Sequence, residues 1–321
     1  MRRSGCLGLA LLLIAAVAVF GVATMWGGKG PLDRSISVQI APGSSLASVS
    51  LQLEKAGAIA SAERFRLLAR VFGSNAPVKA GEYRIPPRMS QGDILKVLQG
   101  TKTVQRFLVV PEGYPSIMVK QALDRTAELT GTIPAPEEGS ILPDSYAYQR
   151  GEPRAQMVER MQVPMTRYLA QAWAKRKAGL VVKTPREALI LASIVEKETG
   201  KPSERRLVAA VYGNRLRQGM MLQADPTIIY PITKGKPLGR KILLSEVRAV
   251  NAYNTYAMTG LPAGPICNPG RASIDAVLDP AQSKALYFVA DGSGGHVFAD
   301  TLEQHNANVV KWRAYRLAHG I

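Results

Sequence analysis

The sequence predicts an α+β protein in which one long apolar N-terminal segment precedes two folded domains. Apolar residues recur at helical spacing in several stretches, whereas residues 104–110 and 285–290 have the composition of strands. Turns rich in Gly, Pro and Asn separate these stretches, and the sequence contains no internal repeat or low-complexity tract. A chain of 321 residues is long enough for one to three domains, and its pattern favours two after the apolar segment.

The apolar segment, residues 6–26, is uncharged and follows Arg2 and Arg3. A run of about 20 apolar residues is long enough to cross a bilayer, whereas the apolar part of a cleaved signal peptide is shorter. Basic residues keep their side of a membrane helix in the cytoplasm. We therefore expect residues 1–5 to be a cytoplasmic tail and residues 6–26 to be a retained single transmembrane helix. The rest of the chain should lie outside the membrane.

The chain is strongly basic, with 41 Lys and Arg against 24 Asp and Glu and a net charge of +17. A chain of this charge often binds nucleic acid or another acidic surface, and export argues against nucleic acid. Anionic lipid headgroups or an acidic cell-wall polymer fit better. Cys6 lies at the membrane and Cys267 lies in the exported body, so we expect no disulfide and a packed Cys267.

The first domain, residues 35–101, has the predicted order strand, helix, helix, strand, helix. A short alternating strand at 37–40 leads into a Pro-Gly-Ser-Ser turn, which can cap the helix that starts at Leu46. A second helix at 62–72, a strand at 81–85 and a third helix at 90–98 follow. This order resembles the LysM module, a small carbohydrate-binding unit of cell-wall proteins. A spacer domain without a ligand is the alternative.

The second domain, residues 104–321, contains the most informative segment, LASIVEKETG at 191–200. Thr184, Pro185 and Glu187 predict the start of a helix that is almost purely apolar until it reaches Glu196. A carboxylate on an apolar helix face is costly unless it is protonated or paired, and a protonated Glu is what a general acid needs. Glu198, two residues on, faces another direction. Periodicity alone does not decide which of the two is the acid.

Four loops of this domain carry Tyr, Asn, Thr, Gln and carboxylate side chains, the groups that stack on sugar rings and bond their hydroxyls. They lie near residues 138–146, 222–227, 253–270 and 287–306, and each alone is weak evidence because such runs also form ordinary turns. The predicted substrate-binding residues in these loops are Glu138, Asp144, Gln223, Asp225, Thr227, Tyr253, Asn254, Thr255, Asn268 and His296.

Taken together, the motifs ASIVEKET, NRL, LQADPT, YNTY, GLPAGPICNPG and YFVAD-GSGGHVF-HN resemble the endolytic murein transglycosylase family, also called YceG-like. The resemblance implies that Glu196 is catalytic and that the loop residues gather around one site. It implies a lyase of the bacterial inner membrane, with its catalytic body on the periplasmic side, that cuts nascent peptidoglycan strands. Peptidoglycan synthases are partners by analogy. Ala263, Ser145 and the Asn251-Ala252 pair depart from the family pattern.

The chemistry of such an enzyme needs one Glu and no metal or cofactor, and we expect none. Three other readings stay open. A two-carboxylate muramidase would add Glu138, Asp144 or Asp225 to Glu196. A metal-dependent hydrolase would use His296 and a second histidine nine residues on, which is not a recognised zinc spacing. A non-enzymatic wall-binding scaffold would rely on the LysM-like module.

Overall fold

The computed structural model describes residues 13, 16, 17 and 20–320, and residues 20–27 are helical. Residues 1–12, 14, 15, 18 and 19, which include the predicted tail and much of the predicted anchor at 6–26, lie outside the described residues. Among the residues that are described, no helix is both long and apolar enough to cross a membrane. The chain forms two compact units, Met1–Arg106 and Phe107–Ile321.

The first unit has the predicted order of elements: β1 (Ile36–Ile40), α1 (Leu46–Lys55), α2 (Ala62–Phe72), β2 (Gly81–Ile85) and α3 (Gln91–Gln99). The two strands pair antiparallel, with Ile36 opposite Ile85. A serine caps each helix by accepting a hydrogen bond from the backbone N–H three residues on, as Ser90 does from Asp93. Phe65 and Tyr83 fill the core between the helices and the two strands.

The second unit is built mainly from helices, with two small two-stranded sheets, β3–β4 and β5–β6. Its elements are β3 (Arg106–Val110), α4 (Ser116–Arg125), β4 (Asp144–Tyr148), α5 (Arg154–Ala174), α6 (Pro185–Glu198), α7 (Arg205–Arg217), α8 (Asp225–Thr233), α9 (Leu244–Val247), α10 (Arg271–Leu278), β5 (Tyr287–Ala290), β6 (His296–Ala299) and α11 (Leu302–His319). β5 and β6 form an antiparallel hairpin, on which α11 packs. The mixed α+β class is therefore as predicted.

Helix α6 lies at the centre of the second unit. Residues 190–195 are all buried, and the helix packs against α5, α7, α8 and α10. Ser193 is the polar residue in this buried run, and its hydroxyl donates to the Ile190 carbonyl and accepts from the Ile266 N–H. The tight packing on several sides fixes the direction in which the last turn of the helix presents its carboxylates.

Candidate active site

The predicted start of α6 is present. The Thr184 hydroxyl accepts the Glu187 N–H at 3.1 Å, and Pro185 occupies the first turn. Glu187 does not close a capping box, because its carboxylate accepts the Lys183 N–H instead. The helix ends at Glu198, and the chain leaves it through Thr199, whose backbone is extended. The last helical residue, Glu198, is therefore followed directly by a buried residue, Thr199.

Glu196 lies on the side of α6 that faces the loop before α10. Its Oε2 accepts the Gly270 N–H at 2.9 Å, and its Oε1 lies 4.0 Å from the Arg205 guanidinium. Arg205 also lies 3.5 Å from the carboxylate of Glu112. The Glu196 side chain is only 6% exposed. Its partners, a backbone N–H and a guanidinium, fix the direction in which the carboxyl group points.

Glu198 lies in different surroundings. Its Oε1 is fully buried and has no hydrogen-bond partner among the residues that the structure describes, while the Tyr212 hydroxyl hydrogen-bonds the carboxyl group. Burial raises the pKa of Glu198 to about 7, and the negative charge of Asp225 adds to the rise. The Tyr212 hydrogen bond and the charge of Arg215 oppose it. A carboxyl group with this pKa can hold a proton near neutral pH and release it.

Glu198 opens onto a polar pocket of about 280 Å³. Arg215 forms part of the wall, and its guanidinium donates to the carbonyls of Leu286 and Leu222, so it is fixed in place. The Tyr256 hydroxyl, also in the lining, donates to Asp225 at 2.6 Å. The lining residues are Glu198, Tyr212, Arg215, Leu222, Gln223, Asp225, Tyr256, Phe288 and His305. The pocket therefore brings two predicted site residues, Gln223 and Asp225, to Glu198.

Four of the predicted substrate-binding side chains are fully buried and hold the loops together: Thr227, Asn254, Thr255 and Asn268. The Thr227 and Thr255 hydroxyls lie 2.8 Å apart, and the Thr255 hydroxyl also accepts the Ala224 N–H beside Asp225. Asn254 donates to the carbonyls of Val247 and Ala249. These bonds use the polar groups that were expected to contact a sugar.

Asn268 ties three segments together. Its side-chain oxygen accepts the Ile141 N–H at 2.9 Å, and its amide donates to the Tyr114 carbonyl and the Ser116 hydroxyl. The residue is buried, and all of these contacts are inside the protein. It thus fixes the loop before α10 against the start of α4.

The remaining predicted residues do not line the Glu198 pocket. Glu138 accepts the Ser116 N–H at 2.8 Å and hydrogen-bonds Tyr230, whose ring packs 4.7 Å from that of Tyr253. Burial raises the pKa of Glu138. Asp144 pairs with an arginine of α10 at 3.0 Å on an exposed edge.

The histidines of β6 and α11 have separate surroundings. The Nδ1 atom of His296 lies 2.7 Å from the Glu204 carboxylate, whereas His305 stacks on Tyr287 at the Glu198 pocket. Burial lowers the pKa of His305. Among the described residues, no group of three His, Cys, Asp or Glu side chains is placed as metal ligands would be.

The predicted set of site residues did not include Tyr212, Arg215, Tyr256, Phe288 or His305, although the last three lie in the loops that the sequence analysis singled out. Tyr212 and Arg215 are three residues apart on α7, a spacing that puts them on one face of a helix. This spacing, together with the Asn-Arg-Leu motif that contains Arg215, is the sequence signal that could have assigned both residues to the site. Phe288 and His305 come from the hairpin and α11, and only the tertiary fold brings them to the pocket.

Comparison with known proteins places the chain in one family. The profile of the YceG-like family matches residues 38–311. An endolytic murein transglycosylase of Streptococcus pneumoniae is 29% identical over 94% of this chain, and the chain spans only 63% of that relative's length. A protein of the same name from Bacillus subtilis is 26% identical over 92% of this chain and 89% of its own. The crystal structure of a yceG-like protein from Listeria monocytogenes has a TM-score of 0.54 at 29% identity, covering 85% of this chain and 98% of that one.

Proposed function

Because the chain belongs to the YceG-like family, we propose that it is an endolytic peptidoglycan lytic transglycosylase. This lyase cuts glycan strands between N-acetylmuramic acid and N-acetylglucosamine and ends the growth of nascent strands. The observation that carries the proposal is the Glu198 pocket, in which a buried carboxyl group with a pKa of about 7 faces polar and aromatic side chains. The name of the relatives supports the substrate class.

We assign the acid to Glu198 rather than to Glu196. A general acid must carry a proton and reach the leaving oxygen. Glu198 has a raised pKa and opens onto the pocket, whereas Glu196 is held by the Gly270 N–H and by Arg205 and does not line it. The sequence-based assignment to Glu196 stays a prediction, and the variants described in the Discussion decide between them.

The proposed reaction uses one carboxyl group twice. Glu198 gives its proton to the glycosidic oxygen as the bond from C1 of the muramic acid to that oxygen breaks. The C6 hydroxyl of the same sugar then attacks C1, and its proton passes to the Glu198 carboxylate. A 1,6-anhydro ring closes, no water is consumed, and the acid is restored. Because the nucleophile is part of the substrate, its effective concentration at C1 is high.

A two-carboxylate muramidase is the second candidate, because Asp225 lines the same pocket as Glu198. A second carboxylate on the far face of the sugar could activate water or form a covalent intermediate. In this structure Asp225 accepts a hydrogen bond from the Tyr256 hydroxyl, and its charge raises the pKa of Glu198. These contacts give Asp225 a supporting role without requiring that it activate water.

Digestion of purified peptidoglycan in ¹⁸O-labelled water separates the two candidates. The transglycosylase gives 1,6-anhydro ends that lack the label and are lighter by one water than hydrolysed ends. The muramidase gives reducing ends that carry the label. Glu198→Gln serves as the inactive control. Labelled ends from the wild type would replace the proposed function with the muramidase.

We also propose that residues 6–26 anchor the protein in the bacterial inner membrane, with residues 1–5 in the cytoplasm and the catalytic body outside. The support is the length of the apolar run and the two arginines before it. A body held at the membrane would meet new strands where synthases make them, so these synthases are proposed partners. A mature N-terminus near residue 27, found by mass analysis, would overturn the anchor.

The first unit is proposed to be a LysM-like glycan-binding module. Its order of elements supports this role, as does a cleft that is lined by the turn before α1 and by the segment after α2. Ser44, Ser45, Asn75 and Gln99 give the cleft polar groups that can bond sugar hydroxyls. A pull-down of the full chain with insoluble peptidoglycan, compared with a Ser45→Ala, Asn75→Ala variant, tests the role. Equal binding by both would leave the unit as a spacer.

A further inference from the structure

A buried carboxylate outside the pocket connects the end of α6 to the β5–β6 hairpin. Glu204 lies just before α7, and its side chain is only 11% exposed. Its Oε2 accepts the Thr199 hydroxyl at 3.2 Å, and Thr199 is the residue that directly follows Glu198. The same carboxylate accepts the His296 N–H at 3.0 Å and lies 2.7 Å from His296 Nδ1. One side chain therefore ties the exit of α6 to the first residue of β6.

The hairpin that Glu204 holds forms a wall of the Glu198 pocket. The His296 ring packs edge-on against Phe288, with the ring centres 5.1 Å apart. Phe288 in turn packs edge-on against Tyr212 at 5.9 Å, and the Tyr212 hydroxyl bonds Glu198. Contacts thus run from Glu204 to Glu198 along two routes, through the backbone at Thr199 and through the aromatic wall.

The hairpin turn is shaped to admit this carboxylate. A β-carbon on Gly295 would collide with the Glu204 carboxylate and with the Lys201 ammonium group. The Thr199 hydroxyl also accepts the Lys201 N–H at 3.1 Å, which closes the turn between α6 and α7. Although burial raises the pKa of Glu204, hydrogen bonds from His296 and Thr199 outweigh that effect and lower it overall. The group is therefore suited to act as a fixed anion.

We propose that Glu204 is a positioning residue of the active site: with His296 it forms a clamp that holds the last turn of α6 and the Phe288 wall around Glu198. The proposal rests on the proposed role of Glu198 as the acid. His296 then acts through Glu204 and Phe288, instead of binding substrate as the sequence predicted. Glu204 does not line the pocket.

Loosening the clamp should admit water to Glu198 and shift the alkaline limb of the pH–rate profile to lower pH. The charged and titratable groups that face Glu198 are left unchanged in every variant used here: Tyr212, Arg215, Asp225, Tyr256 and His305. If the limb moves by one pH unit in Glu204→Gln, kcat/KM at pH 8 falls about tenfold while its value below pH 6 changes much less.

Three further variants separate the clamp from other effects. His296→Ala keeps the Glu204 charge and the backbone hydrogen bond but removes the Nδ1 contact and the ring that packs on Phe288, so it should shift the limb in the same direction as Glu204→Gln. His296→Asn keeps an N–H donor near the position of Nδ1 but lacks the ring that packs against Phe288, so it should shift the limb less than His296→Ala does. Glu152→Gln is the matched control, because Glu152 is also 11% exposed and ion-paired, with Arg160, but does not contact α6. It should lower stability without moving the limb.

The experiment measures the pH dependence of peptidoglycan cleavage and, separately, the infrared carbonyl band of the protonated Glu198 carboxyl, identified by its loss in Glu198→Gln. The full chain in detergent is used throughout. An infrared midpoint that moves to lower pH in Glu204→Gln and His296→Ala supports the clamp. An infrared midpoint that is unchanged in both variants, or that moves only in Glu204→Gln, overturns the proposed clamp. Full activity in Glu198→Gln would instead refute the assigned acid, while the infrared result would still test the clamp.

Discussion

Replacement of Glu198 by Gln should abolish cleavage and at the same time stabilise the protein at alkaline pH. The amide keeps the shape of the protonated carboxyl and can still accept the Tyr212 hydrogen bond, but it cannot donate a proton to the substrate. Loss of a general acid typically lowers the rate by about 10²–10⁴-fold. The gain in stability arises because the wild-type carboxyl must ionise in a buried place, whereas the amide never does.

The size of the gain follows from the pKa. A rise from 4.5 to about 7 corresponds to about 3 kcal/mol at 1.36 kcal/mol per unit. Below the unfolded pKa of 4.5, both states hold the proton and the group has no effect on stability. Between 4.5 and about 7 the folded state keeps a proton that the unfolded state has released, so the wild-type free energy of unfolding falls as pH rises. Above about pH 7 the folded wild type carries the full cost of ionising Glu198 in a buried place.

Glu198→Gln should therefore match the wild type near pH 4 and exceed it by about 3 kcal/mol near pH 8. For a unit of the size of residues 107–321, this corresponds to a rise in the unfolding midpoint of roughly 6–12 °C. Scanning calorimetry of the full chain across this pH range measures the difference, and a peptidoglycan digest measures activity. A difference that does not change with pH would refute the burial argument.

Glu196→Gln is the control for this experiment. It weakens the contacts that this side chain makes with the Gly270 N–H and with Arg205, so it should lower the free energy of unfolding by about 1–3 kcal/mol while cleavage continues. Loss of cleavage in Glu196→Gln with full activity in Glu198→Gln would instead support the acid predicted from the sequence.

Two other variants test the surroundings of the site. Asn268→Ala should leave the Ile141 N–H unpaired and lower the free energy of unfolding by about 1–3 kcal/mol, with little change in KM at permissive temperature. A raised KM with unchanged stability would return Asn268 to the set of substrate-binding residues. Asp225→Asn should remove a negative charge that raises the pKa of Glu198, so the alkaline limb of the pH–rate profile should move to lower pH while activity at acidic pH remains. Loss of activity at every pH would favour the two-carboxylate muramidase.

Much of the fold follows from local sequence signals. Turn, cap and strand signals predicted every element of the first unit in order, and Thr184 with Pro185 predicted the start of α6. The longest helix of the second unit, α5, was not predicted. It carries Pro164 in its interior and has few buried residues, so neither its composition nor its periodicity indicates a continuous helix. Packing against α6 and α10 stabilises α5 as a continuous helix, although its local sequence does not indicate one.

The candidate site was predictable to the level of a segment but not to the level of an atom. Helical spacing indicated that Glu196 and Glu198 face apart, and they do lie in separate surroundings. Spacing says nothing about what lies opposite each face. Glu196 meets a backbone N–H and a guanidinium that come from later segments, and Glu198 meets Tyr212 and a pocket wall formed by the hairpin and α11. The apolar run before Glu196 packs the helix against its neighbours. The surroundings that raise the pKa of Glu198 lie on another face of the same helix and are formed by residues distant in sequence.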